Sequence, residues 1–217
     1  RDSLLTKHYN NEIAGGKWVH MMDQIRIGYT SWQEPKQRIM PEVKQVITSA
    51  SEKDKKFIEK DGYISIEAEH FNRAKGNNRI EWKVIPNLGK TLSGVTTFPQ
   101  NEYPKPQDSI YLEYDVITQS TGNFPIHVLV SPTLNFNNNK GLRYGISVDN
   151  QEEKIVNING KYDTRLLEKW QAQRINETIT THLFQSAGKH TIRFRVLDPG
   201  IVLQKIIIDT GNLKKSY

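Results

Sequence analysis

From Tyr63 to Asp209 apolar and polar residues alternate in short runs, the period of strands with one buried face. In the first run Ile64, Ile66 and Ala68 fall on one side and Ser65, Glu67 and Glu69 on the other. Comparable runs cover 110–116, 124–130, 144–148, 154–158, 178–184, 190–197 and 202–209. Turn chemistry separates them: Pro104-Lys105-Pro106, Asn137-Asn138-Asn139, Asn159-Gly160, Gly188 and Pro199-Gly200. Many short strands with no helices interleaved predict an all-β fold, an antiparallel β-sandwich.

Ahead of the turn signal Asp61-Gly62 the pattern changes. Pro41 suits a first helical turn, and Val43, Val46 and Ile47 recur at i, i+3, i+4, so a short helix is expected there. It fades into the charged stretch 49–56. The chain therefore divides into an N-terminal helical or irregular extension, 1–60, and a sandwich domain, 61–217. Within the extension, residues 15–35 hold two Trp, one Tyr and two adjacent Met, yet sustain neither the helical nor the strand period. Aromatics of this kind concentrate at interfaces. Trp18, His20, Met21, Met22, Tyr29 and Trp32 are expected to pack against a neighbouring domain, or against a second copy in a homodimer formed through residues 9–35.

Composition narrows the class. Of 217 residues, 36% are apolar and 25% charged, and the mean hydropathy is −0.64, polar for a globular chain but not disordered. No apolar run approaches the ~20 residues of a membrane helix, so no membrane partner is expected. The chain lacks an initiating Met and a basic-then-apolar leader; a removed signal peptide or an excised fragment is expected. Without cysteine there are no disulfides, thiolate metal sites or Cys nucleophile. Thirty Lys and Arg against 24 Asp and Glu give a net charge of +6, dispersed along the chain with no nucleic-acid motif. The plain reading is a solvated basic surface; the competing partner is an anionic polymer, for which an acidic polysaccharide would qualify as well as DNA.

Carboxylate pairs occur at Glu67/Glu69, Glu113/Asp115 and Glu152/Glu153, but such pairs on strands are usually structural, and a glycosidase needs two carboxyls ~5–9.5 Å apart across the scissile bond. The six His show no metal-binding spacing. Sugar binding calls instead for exposed aromatics flanked by amides and charged groups. The loop candidates are Tyr103, Asn135, Phe136 and Tyr162, with Arg143 or Arg165 able to pair with a uronate carboxylate. Trp82 and Trp170 read as core or hinge packing.

Several motifs carry a resemblance. The opening Ile66-Glu67-Ala68-Glu69, the strand Tyr111 to Val116, the strand Ala187-Gly188-Lys189-His190-Thr191-Ile192-Arg193-Phe194 and the closing Leu203 to Asp209 resemble the galactose-binding-like jelly rolls of carbohydrate-binding modules. In several such families two Glu of the first strand and an Asp of the last bind a structural calcium ion, which here implies Glu67, Glu69 and Asp209. Read together with Gly15-Gly16-Lys17-Trp18, His20-Met21-Met22-Asp23-Gln24, Ile27-Gly28-Tyr29-Thr30, Ser131 to Phe136, Gly141-Leu142-Arg143-Tyr144 and Asp198 to Lys205, nearly the whole chain resembles the C-terminal region of glycoside hydrolase family 115, the xylan α-1,2-glucuronidases. Arg26 departs from the His expected of that family. The resemblance implies catalytic carboxylates in upstream domains of the same polypeptide, no catalytic residue in this region, xylan or glucuronoxylan as the polysaccharide, and a secreted or periplasmic location.

Overall fold

The computed structural model describes residues 2–17, 57–105, 107–136, 141–160 and 164–214. Two compact units divide at residue 50. In the first, helix α1 (Asp2–Asn11) is followed by a 3₁₀ turn, Ile13–Gly16, that Ala14 and Gly15 enter with positive φ. The expected helix near 41–47 and the six interface residues from Trp18 to Trp32 lie outside the described residues.

The second unit is the expected sandwich. One sheet runs β1 (Phe57–Ile58), β6 (Tyr111–Thr118), β11 (Gly188–Val196), β8 (Arg143–Val148) and β9 (Lys154–Asn157), with β3 (Arg73–Lys75) also pairing with β6. The other runs β10 (Asn176–Phe184), β7 (Gly122–Val130), β12 (Leu203–Asp209), β5 (Gly94–Phe98) and β4 (Glu81–Ile85), with β2 (Tyr63–Glu67) against β12. Every pairing is antiparallel except β1 with β6. Alternation produces the core: Leu112, Tyr114 and Val116 meet Ile192, Phe194 and Tyr144 in one sheet and Ile126, Val128, Ile206 and Ile208 of the other. The buried Tyr114 hydroxyl donates to the Ala68 carbonyl at 2.8 Å, so its polar end is satisfied. Trp82 packs against this core, its ring 6.4 Å from that of Phe194.

Three differences from the sequence reading have physical causes. The sandwich begins before Asp61-Gly62, because β1 joins β6 and buried Glu59 accepts bonds from Gln119 N, Ser120 N and Thr210 Oγ1. Burial pushes the Glu59 carboxyl up, but these hydrogen bonds outweigh it and hold it below the usual range. A helix, α2 (Thr164–Gln173), interrupts the strand series and ends where Arg174 turns to φ 58° and Ile175 N bonds back to Trp170 O. Finally, the alternation at Glu67 does not reach Glu69, because Ala68–His70 form a 3₁₀ turn.

Candidate functional site

Three loops meet at the end of the second sheet where β5 and β7 finish and β12 begins. The loop after β5 is fixed by Arg79, which pairs with Glu102 and, at 2.7 Å, with Asp108; Asp108 in turn accepts from Lys105 N. Gln100 is held by its side-chain amide, which donates to Thr96 Oγ1 and Thr97 O. The segment after β7 is tied down by Ser131 N to Val202 O and by Asn159, which donates to Thr133 O. The third loop, between β11 and β12, is anchored by Asp198, which takes the Arg143 guanidinium at 2.7 and 3.2 Å and Arg143 N at 2.9 Å.

Between them lies a pocket of about 540 Å³ lined by Gln100, Asn101, Tyr103, Thr133, Phe136, Gly200 and Val202. Tyr103 and Phe136 remain 43% and 49% exposed, although each presents a large apolar face. Gly200 has φ +84°, and a Cβ there would lie 2.5 Å from the Phe136 ring; only glycine lets the ring lie against the loop. Exposed aromatic faces beside amides suit the C–H faces and hydroxyls of a sugar.

Of the expected ligand-binding residues, the structure brings Tyr103 and Phe136 together. Asn135 is exposed beside Phe136, and Tyr162 lies outside the described residues. Arg143 takes a different part: its guanidinium is spent on buried Asp198 rather than offered to a uronate, and the pairing raises its pKa. Gln100, Asn101 and Gly200 join the pocket without having been singled out for it. The only signals were polar residues after Pro99 and the Pro199-Gly200 turn.

The expected calcium ligands are not assembled. In the β2–β12 register Glu67 stands opposite Lys205 and Asp209 opposite Tyr63, four residues and roughly 13 Å further along. Glu67 accepts from Lys205 Nζ at 2.8 Å and from Thr91 Oγ1. Asp209 caps the chain end by accepting from Gly211 N at 2.8 Å and Leu213 N at 3.2 Å. Glu69 lies 3.5 Å from the His70 imidazole. Among the described residues no group of three or more His, Asp or Glu is placed to hold a metal ion.

In the other two carboxylate pairs, Glu113, Asp115 and Glu153 are committed to arginines. On the outer face of the first sheet Glu113 binds Arg73 at 2.6 Å and Arg193 at 2.7 Å, while Asp115 binds Arg73 at 2.7 Å and Thr191 Oγ1 at 3.0 Å. Burial pushes Glu113 up, yet the two guanidiniums outweigh it and hold it below the usual carboxylate range; the Arg73 hydrogen bonds do the same for Asp115. Glu153 pairs with Arg195 and Glu152 is exposed. The His190 motif is structural: Nδ1 lies 2.8 Å from Asp149 and Nε2 2.8 Å from Ser186 O.

The model of the glycosyl hydrolase family 115 C-terminal domain matches residues 56–217. A family GH115 4-O-methyl-α-glucuronidase, BtGH115A, specific for decorated arabinogalactans, superposes over 97% of this chain at TM-score 0.60 and 16% identity; the chain spans 24% of that protein. A family 35 carbohydrate-binding module from Clostridium thermocellum superposes over 67% of the chain and 97% of its own, at TM-score 0.45 and 20% identity. The C-terminal family 6 module of a laminarinase from Zobellia galactanivorans covers 68% of this chain and 98% of its own, at TM-score 0.43 and 18% identity. No curated protein matches the sequence. The family model extends over most of the chain and over every strand of the sandwich, and the chain belongs to glycosyl hydrolase family 115 as a C-terminal domain.

Proposed function

We propose that this chain is the non-catalytic C-terminal accessory region of a multidomain α-glucuronidase, buttressing or positioning upstream catalytic and helical domains of the same polypeptide while its loop-end pocket holds the polysaccharide backbone. The observation that carries the reading is the pair of half-exposed rings, Tyr103 and Phe136, set across one pocket by three separately anchored loops. A sugar stacked there would bury apolar surface that water now covers. The engagement of Glu67, Glu113, Asp115 and Glu153 with lysine or arginine supports a binding role rather than catalysis by those carboxylates. Xylan is the first backbone to test, and arabinogalactan the second. In this reading the protein works in the periplasm or outside the cell, where such polymers are found, and cell fractionation checks that placement.

Two measurements test it. The chain incubated with glucuronoxylan is expected to release no glucuronic acid; turnover above that of buffer ends the non-catalytic reading. In calorimetry, neutral xylo- or arabinogalacto-oligosaccharides are expected to bind, with Phe136→Ala or Tyr103→Ala weakening affinity at least about tenfold, the equivalent of ~1.4 kcal/mol. Unchanged affinity in both variants removes the pocket from the function.

A further inference from the structure

The outer face of the second sheet carries a groove of about 590 Å³, within the range of saccharide-sized sites. Its floor comes from β12, β7 and β10, with Ile207 and Leu129 supplying apolar surface; its sides come from the β4–β5 loop, helix α2 and the segment after β12. Four lysines line it, Lys90, Lys169, Lys205 and Lys214, against one carboxylate, Glu177.

The walls are fixed by one residue. The register of β12 against β7 shifts between Leu203 and Lys205, and buried Gln204 sits at that irregularity. Its Oε1 accepts from Lys90 N at 2.8 Å, while Nε2 donates to Ser131 Oγ at 2.9 Å and to Arg174 O at 3.0 Å. One side chain thus ties the β4–β5 loop and the end of α2 to the groove floor.

The charges divide by role. Lys205 is neutralised by Glu67 at 2.8 Å. Glu177 is held by His127 at 2.7 Å, and this hydrogen bond keeps its carboxyl below the usual range, with Lys169 adding a weaker pull. Among the described residues Lys169 and Lys214 form no salt bridge, and both ammonium groups are exposed at the groove.

We propose that this groove is a second saccharide site, separate from the loop-end pocket, that takes a uronate-bearing oligosaccharide with its carboxylate set against Lys169 and Lys214. The apolar floor accepts the C–H face of a sugar ring, and Glu177 accepts its hydroxyls. Lysines supply point charges without the planar fork that arginine gives to phosphate, and no arginine lines the groove among the described residues. The Glu177 carboxylate repels a dense polyanion such as DNA, whereas a glycan with isolated acidic units can place each carboxylate away from it. The proposal stands apart from the neutral-backbone pocket but shares its premise of a glycan-binding domain.

The test is calorimetry of the whole chain with glucuronic-acid-substituted xylotriose and with unsubstituted xylotriose. The substituted ligand is expected to bind at least about tenfold tighter in 50 mM NaCl, with the advantage shrinking several-fold in 500 mM NaCl as ions screen the lysines. Lys169→Gln/Lys214→Gln should abolish that advantage while leaving xylotriose binding intact, and both positions are exposed enough to keep the melting temperature unchanged. Phe136→Ala should do the reverse. An advantage that survives the double lysine variant overturns the proposal, as does equal competition by inorganic sulfate or a DNA oligomer. Absence of xylotriose binding in the unaltered chain, with the substituted ligand still bound, would count against the loop-end pocket only.

Discussion

Single residues in this domain are set by what burial permits. His182 on β10 is 2% exposed, with Nε2 2.9 Å from Thr180 Oγ1. Burial, aided by the charge of Lys154, pushes its imidazole down to about 4 from an ordinary 6.5. Between those values the unfolded chain binds a proton that the folded chain refuses, so stability falls as pH drops through that window, by on the order of 3 kcal/mol in full. His182→Leu is expected to flatten the dependence of melting temperature on pH between 6.5 and 4; an unchanged slope would place the acid sensitivity elsewhere. Glu113 and Asp115 act lower on the scale. Their depressed pKa values contribute stability that is complete above the ordinary carboxylate range and lost as pH falls below it. None of this could be read from sequence, since histidine and carboxylate alternation looks the same on a buried or a solvated face.

At the scale of elements, the loops decide the pocket. Gly200 and Gly188 both have positive φ, but only Gly200 has a ring against it; nothing lies within 4 Å of a Cβ built at Gly188. Gly200→Ala is expected to cost about 1–2 kcal/mol in backbone strain and to displace Phe136, weakening sugar binding. Gly188→Ala should lower the melting temperature while leaving binding intact, as followed by thermal denaturation and calorimetry. Equal binding in both variants would separate Phe136 from the site. Strands β2 and β6 to β12 were legible from their short apolar-rich runs and the turn residues between them, although β9 buries none of its residues fully. The remaining four were not. β1 and β3 have only two and three residues, Val95, Thr96 and Thr97 of β5 are all buried, and β4 keeps Val84 exposed. Helix α2 was hidden because Leu166, Leu167 and Trp170 make too short a stripe to stand out between strands.

For the whole molecule, register governs which motifs can cooperate. β2 and β12, which carry the two bookend motifs, are neighbours as those motifs implied, but the antiparallel pairing sets Glu67 against Lys205 and carries Asp209 to the far end of β2. Asp209 instead closes the turn after β12. Asp209→Asn is therefore expected to lower stability by about 1 kcal/mol through weakened hydrogen bonds, equally in EDTA and in millimolar calcium. A calcium-dependent rise in melting temperature that this variant abolishes would restore the ion and its ligand role. The same register places His127, Lys205 and Glu177 on one outer face, where the lysine groove forms.

Alternation, turn residues and motif order determined the β-sandwich, its principal strands, the family and the aromatic candidates Tyr103 and Phe136, because each depends on local period or on residues close in the chain. The tertiary structure decided the rest: that Arg143 serves Asp198, that the calcium motif comes apart, and that Gln204 binds two distant segments into a lysine-lined groove. Those outcomes depend on strand register and loop closure between residues far apart in the chain, 114 positions for Lys90 and Gln204, and side-chain pairing at that range is fixed only when the two sheets have closed on their core.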